Sequence, residues 1–483
     1  MPKAVIGSVP DGGAQTQPDR RLPGKRAVRQ WLPRHAPRGG TRSRGRVPVM
    51  TAMDGPMILA RKNAEGTQSD VSWLLLLCLS RVSFVLVFVS YSAALPLLKT
   101  DWTMSASQAG LIQSAWHTGY LISLFSVGFL CDRYGARRTF LAGSLLASAS
   151  ALLFALCADG FVSGLLLYGF TGLCSGASYT PGLTLIAERF VTHQRGRAMG
   201  WFLAAASLGY GVSLILSGLL MPFIGWRGAF VVTCCGPLAA TMLAFWTLRS
   251  TPNVIHPRGT GNAGLFALIE IWRNKPAMLL IWAYVCHSWE LLGMWAWLPA
   301  YLAVSITHGG GMTMQAAGIG ALCTALTYIT SMGGSIFGGA LSDRWGRTRV
   351  ILWGACLSLA CSFSFGWMMA LPLWLLVLMA TAYNVTAIAD SSVFSTGLTE
   401  LVEPRYLGAA YALRSLLGFG AGVISPWVFG LVIDWARGEP LRSEAMAWGL
   451  AWTVLGVGAV LGPLVTLRLR AMPEARQMAG GRR

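Results

Sequence analysis

Apolar and polar positions fall along this chain in long blocks. Runs of about 20 predominantly apolar residues, the length that crosses a ~30 Å hydrocarbon core, occupy 73–98, 107–130, 139–158, 161–187, 198–221, 226–248, 277–304, 315–341, 350–370, 373–399, 406–433 and 446–467. Between them lie short segments rich in Arg, Gly and Pro. A run that is apolar around its whole circumference has no face to offer water, so each is read as a membrane-spanning helix. The fold class expected is an all-α membrane protein with twelve transmembrane helices. The even number puts both termini on one side.

Composition agrees. Only 12% of residues are charged, against roughly 25% in soluble domains, and mean hydropathy is +0.54. The net charge of +19 could suggest a nucleic-acid partner, but its distribution says otherwise. Of the 38 Lys and Arg residues, 32 fall on one side of the expected topology, leaving Lys99, Arg227, Arg437 and Arg442 opposite and Arg81 and Arg414 inside helices. That is the positive-inside pattern, which makes both termini cytoplasmic and the plasma (inner) membrane the expected location. No nucleic acid is needed to explain the excess. The ten cysteines form no CxxC or Cys/His cluster, so no metal site or cofactor is expected, and no nucleophile–base set suggests an enzyme.

Residues 1–70 are rich in Arg, Pro and Gly and read as a disordered basic cytoplasmic tail; Met50, Met53 and Met57 are alternative starts that would make 1–49 untranslated. A polar linker, 249–276, separates a bundle at 71–248 from one at 277–470, and 471–483 forms a second tail. The two bundles repeat. GFLCDRYGARR (128–138) returns as GALSDRWGRTR (339–349), and RGRAMG (195–200) is answered by RYLGAA (405–410). Two pseudo-symmetric six-helix bundles are a transporter architecture.

The repeated element, Gly128, Asp132, Arg133, Gly135, Arg137 and Arg138 with its second copy Gly339, Asp343, Arg344, Gly346 and Arg349, resembles the signature of the major facilitator superfamily. GWRGAF (225–230) also resembles that family, and the likeness spans roughly 72–470. The resemblance implies that Asp132 faces the start of the eleventh helix and that helices 1, 4, 7 and 10 line a central cavity. Gly128 and Gly339 would permit close helix approach, and Gly135 and Gly346 tight turns. Arg133 is expected to pair with Glu188, and Arg344 with Glu400, as charge ties that latch one side and break in the other state.

Charged residues inside a membrane are costly and therefore candidates for function. Here they are Arg81, His117, His287, Glu290, Asp390 and Arg414. Glu290 falls near the midplane with His287 three residues before it and Trp297 seven after, on one stripe. Its carboxyl could exchange a proton near neutral pH. Asp390 and Arg414 lie at similar depth on consecutive helices and are expected to pair. Tyr179, Trp289 and Trp297 are expected to line the cavity. The reading is a monomeric secondary transporter of a small polar solute, moved by alternating access and coupled to protons, with Arg81 and Arg414 meeting an anionic group. The stretch 108–120 bears a faint resemblance to the organic-anion symporters, although Arg81 lies a turn or two further from Pro96 than in that branch. The competing readings are a proton-coupled exporter of a cationic or amphipathic compound and a transporter-like solute sensor.

Overall fold

The computed structural model describes residues 69–255, 263–307, 311–439 and 443–482. The N-terminal tail lies outside the described residues as far as position 68, as do parts of the linker. The described residues belong to one compact unit.

The spanning helices are α1 (Asp70–Asp101), α2 (Ala106–Tyr134), α3 (Ala136–Cys157), α4 (Phe161–Arg189), α5 and α6 within Thr192–Leu248, α7 (Lys275–Thr307), α8 (Met314–Trp345), α9 (Arg347–Met368), α10 (Leu373–Leu401), α11 (Leu407–Arg437) and α12 (Glu444–Ala471). Ten stretches are long and apolar enough to span by themselves. Two facts restore twelve. The stretch Thr192–Leu248 reverses at Gly225, whose φ of 68° ends α5 and begins α6, and α2 has spanning length at 29 residues but a more polar sequence. A short amphipathic helix, Ala263–Arg273, lies in the linker.

Local chemistry places the ends. Ser105 and Gln108 form a reciprocal capping box at the start of α2, at 3.1 and 3.0 Å. The turns between α2 and α3 and between α8 and α9 are made at Gly135 (φ 84°) and Gly346 (φ 97°), in the conformation that favours glycine, as the repeat predicts. In GWRGAF, Trp226 donates to Asp101 (2.6 Å) and Arg227 to the terminal carbonyl of α3 at Ala158 (2.8 Å), which fixes how α6 enters its bundle.

The two halves meet tightly on the side opposite the basic loops. On α2, Gly110 sits so close to Pro426 of α11 that an added Cβ would come within 2.2 Å of its carbonyl, and Gly430 of α11 is as confined by Ala106. Gly218 of α5 and Gly318 of α8 press on each other's carbonyls in the same way. Toward the basic side, a Cβ added at Gly128, Gly200 or Gly408 would meet nothing within 4 Å. The close approach expected of Gly128 is thus not made in this state, whereas Gly339 lies against Ser392.

Candidate functional site

Arg81 sits on α1 one turn before the helix tightens at Val85–Val87 and is 3% exposed. It donates to Ser178 Oγ, and its guanidinium lies over the rings of Tyr179 (5.6 Å) and Phe202 (5.5 Å). Tyr120 and Tyr210 line the hollow beside it. Its Nε makes no hydrogen bond, and among the described residues no acid pairs with it. Ser178 is presented because α4 tightens at Gly176–Ser178 and resumes at Tyr179.

The equivalent helix of the second half is interrupted at the equivalent place. In α10 the α-helix ends at Ala389 and restarts at Ser391, with Asp390 between. Tyr179 and Asp390 are 211 positions apart (390 − 179), the spacing of the repeated aspartates (343 − 132). Asp390 is 2% exposed, and its Oδ1 lies 2.9 Å from His287 Nδ1; the other ring nitrogen is 2.9 Å from Ser391 Oγ. One turn along α7, Glu290 (4% exposed) accepts a hydrogen bond from Ser362 Oγ at 2.6 Å, and Ser362 in turn lies 2.5 Å from the Tyr383 hydroxyl. A cavity of ≈ 10 Å³ touches His287, Glu290, Ser358 and Asp390 together, which is room for about one water.

The expected Asp390–Arg414 pair is not formed. Arg414 donates to Ser395 Oγ at 2.7 Å and spreads over the rings of Tyr284 (4.6 Å) and Tyr411 (5.0 Å), with its Nε unpartnered. Equal depth on neighbouring helices does not set azimuth. The interruption at Asp390 places its carboxylate beside α7, where His287 lies. Three other expected residues stand apart from this chemistry. His117 Nδ1 is 3.0 Å from the carbonyl of Gln113 on its own helix and packs on Trp116. Trp289 packs on Gly458 of α12. Trp297 donates to the Pro426 carbonyl at 2.9 Å and stacks on Phe429 (5.1 Å) as core.

The family model of the Major Facilitator Superfamily matches residues 77–413. The chain belongs to that superfamily. It is 27% identical over 414 residues to the "Probable sulfoacetate transporter" of Cupriavidus necator, covering 78% of this chain and 90% of that one. Similarity to the cis,cis-muconate transport protein of Acinetobacter baylyi is 25% over 400 residues, covering 77% and 88%. Among solved structures, a D-xylose–proton symporter has the same fold, with a TM-score of 0.67 at 18% identity over 84% of this chain and 98% of that one. The protein is therefore a multi-pass membrane transporter and not an enzyme.

The superfamily loops show how the two copies of the signature are held. In the second copy Arg347, directly after Gly346, is the organising cation: it lies 2.5 Å from Asp343 and 3.0 Å from Glu400, and also donates to Ser342. This replaces the expected Arg344–Glu400 tie, for Arg344 is exposed. Arg347 follows the glycine directly inside the repeat, where the first copy has Ala136, so the sequence carried a signal that pairing by position overlooked. In the first copy Arg133 lies over the ring of Tyr134 (5.4 Å), Asp132 is exposed, and Arg137 donates to the Thr251 carbonyl at 3.2 Å. Asn253 holds that turn by donating to Tyr134 O (2.8 Å) and accepting from the Arg138 amide (3.2 Å). Arg349 is exposed. The segment following α12 docks likewise on the second loop, with Ala479 N donating to Glu400 at 3.1 Å and Arg482 to the Asp343 carbonyl at 2.5 Å.

A tie on the opposite side was not anticipated. Asp434, near the end of α11, accepts from the Ala106 and Ser107 amides at 2.8 and 2.7 Å. A carboxylate of the second half thus caps the first turn of α2, where the helix dipole favours negative charge. It closes the far side beside the glycine contacts.

Proposed function

We propose that this transporter carries a small organic anion by proton-coupled alternating access, with both termini and the signature loops in the cytoplasm. The observation that carries the reading is a pair of arginines inside spanning helices, Arg81 buried in the first half and Arg414 half-buried in the second, each with an unpartnered buried Nε and neither ion-paired among the described residues. A buried charge without a partner is costly, and an anion entering between the halves supplies the partner. Tyr179, Tyr120 and Tyr210 around Arg81 and Tyr284 and Tyr411 around Arg414 add ring faces and hydroxyls for a carboxylate or sulfonate carrier. Organic acids in the printed names of two relatives agree with this charge preference. The proton is carried by the acid cluster of the second half, with Glu290 as its deepest member. Uptake of labelled organic anions into proteoliposomes, with and without an imposed proton gradient, tests the reading. Accumulation that needs an acidic exterior is expected. Accumulation of organic cations alone overturns it.

A further inference from the structure

The second half contains a continuous stack from Arg414 to a buried acid. Arg414 lies over the ring of Tyr284 (4.6 Å), and Tyr284 stacks on His287 with ring centres 5.5 Å apart and planes at 26°. His287 then reaches Asp390 through Nδ1 and Ser391 through Nε2, each at 2.9 Å. Ser391 can answer either state of the imidazole, because a hydroxyl donates to a bare Nε2 and accepts from a protonated one by rotating. Either state of the ring keeps both contacts with no side chain displaced. Glu290 is held differently, by the Ser362 hydroxyl within the bundle and away from Arg414.

We propose that the His287–Asp390 pair loads the coupling proton, and that Tyr284 lets an anion bound at Arg414 be felt there. The proposal rests on the organic-anion reading above and names the residues that link its two ions. The groups around the pair are few. From α7 come Tyr284, Cys286 and Glu290; from α9, Ser358; from α10, Asp390, Ser391 and Phe394; from α12, Thr466; and from α11, Arg414 through Tyr284. Among these described residues Arg414 is the only permanent cation.

Its charge opposes a proton on His287 whenever the cavity holds no anion. The two stacking distances, 4.6 and 5.5 Å, put guanidinium and imidazole about 10 Å apart or less. Like charges at that separation repel. An anion seated on Arg414 cancels it, so anion and proton each bind more tightly when the other is present, by the same factor. When the anion leaves, the repulsion returns and the proton follows. This is the linkage a symporter requires. The cavity touching both His287 and Glu290 lets one water extend the path inward.

The test is calorimetric titration of the purified full-length protein with sulfoacetate, cis,cis-muconate, glucuronate and gallate, in buffers of different ionisation enthalpy. This counts protons taken up per anion bound. The wild type should take up a fraction of a proton for each anion bound, and its anion affinity should change with pH in step with that uptake. His287→Gln and Asp390→Asn should each still bind the anion while uptake and pH dependence are lost; the double variant, which leaves neither partner buried alone, guards against misfolding of either. Tyr284→Leu should weaken anion binding and flatten the pH dependence of the binding that remains. Proton uptake that survives in both His287→Gln and Asp390→Asn overturns the proposal, and its loss in Glu290→Gln alone moves loading to that carboxyl. Anion binding by the wild type without proton uptake leaves the anion reading and removes this one. If none of the four anions binds, both fall.

Discussion

The two halves share a skeleton and differ in chemistry. In each, the fourth helix is interrupted at the same place in the repeat, near Tyr179 and at Asp390, and in each the first helix sends a polar side chain to that break. In the first half Arg81 meets a neutral hydroxyl, Ser178. In the second His287 meets a carboxylate. The first arrangement leaves a permanent positive charge without a counter-ion among the described residues, whereas the second sets an imidazole against an acid. Duplication supplied two equivalent positions, and divergence set a lone cation at one and a histidine–carboxylate pair at the other. The loops show the same division. The first signature loop is held by Arg137 and Asn253, mostly on backbone groups, while the second is held by Arg347 bridging two acids.

The sharpest way to break this comparison is Asp390→Asn. Taking one member from a buried pair costs about 3–5 kcal/mol, so thermal stability in detergent should fall and transport should lose its pH dependence. Adding Arg414→Gln should not restore abundance, whereas adding His287→Gln should. Recovery by the Arg414 variant instead would reinstate the pairing expected from depth alone. Arg81→Gln probes the other half. A charge-assisted hydrogen bond is worth about 1.5–3 kcal/mol, so anion affinity should fall about 10- to 150-fold. Stability should not fall with it, because the variant removes an uncompensated buried charge; a destabilised protein with unchanged affinity would make Arg81 structural.

Asp434→Ala tests the tie between the halves. Losing a helix cap costs about 0.5–2 kcal/mol, which should shift the population toward states open on the far side by roughly 2- to 30-fold. Faster thiol labelling at a cysteine placed at Ser107 in the Asp434→Ala background would report it, and unchanged labelling would confine Asp434 to local capping. The smallest effect is expected from Arg347→Lys, which keeps the charge but cannot bridge Asp343 and Glu400 as a planar fork does. A loss of about 1 kcal/mol in stability with unaltered anion affinity is the expected outcome, and a change in affinity would connect this loop directly to the site.

Much of this was legible before any coordinates. The apolar blocks located all twelve helices, since crossing hydrocarbon demands length and apolarity that local sequence displays. Gly135 and Gly346 announced their turns because a left-handed backbone excludes most other residues. The buried charges announced themselves by their cost. Partner choice was harder to read. Depth alone pairs Asp390 with Arg414, position in the motif pairs Arg344 with Glu400, and neither points to Asp434 at the end of its helix. Each of these contacts depends on azimuth or on distant segments meeting, and helical spacing alone carries no information about which neighbour a face will meet.

By itself the sequence determined the number of helices, their two-fold repetition, the side on which basic loops gather and the handful of buried ionisable groups. Hydrophobic transfer acts residue by residue, so these properties can be summed along the chain. Only the tertiary structure decided that the Asp390 carboxylate lies against His287, that Arg347 and not Arg344 gathers the acids of its loop, and that Asp434 caps α2 across the interface. The physical reason is that ion pairs and caps act over about 3 Å with strict orientation. Such a distance between residues hundreds of positions apart is set by helix packing, and by the small breaks at Ser178 and Asp390 that rotate one face relative to the next.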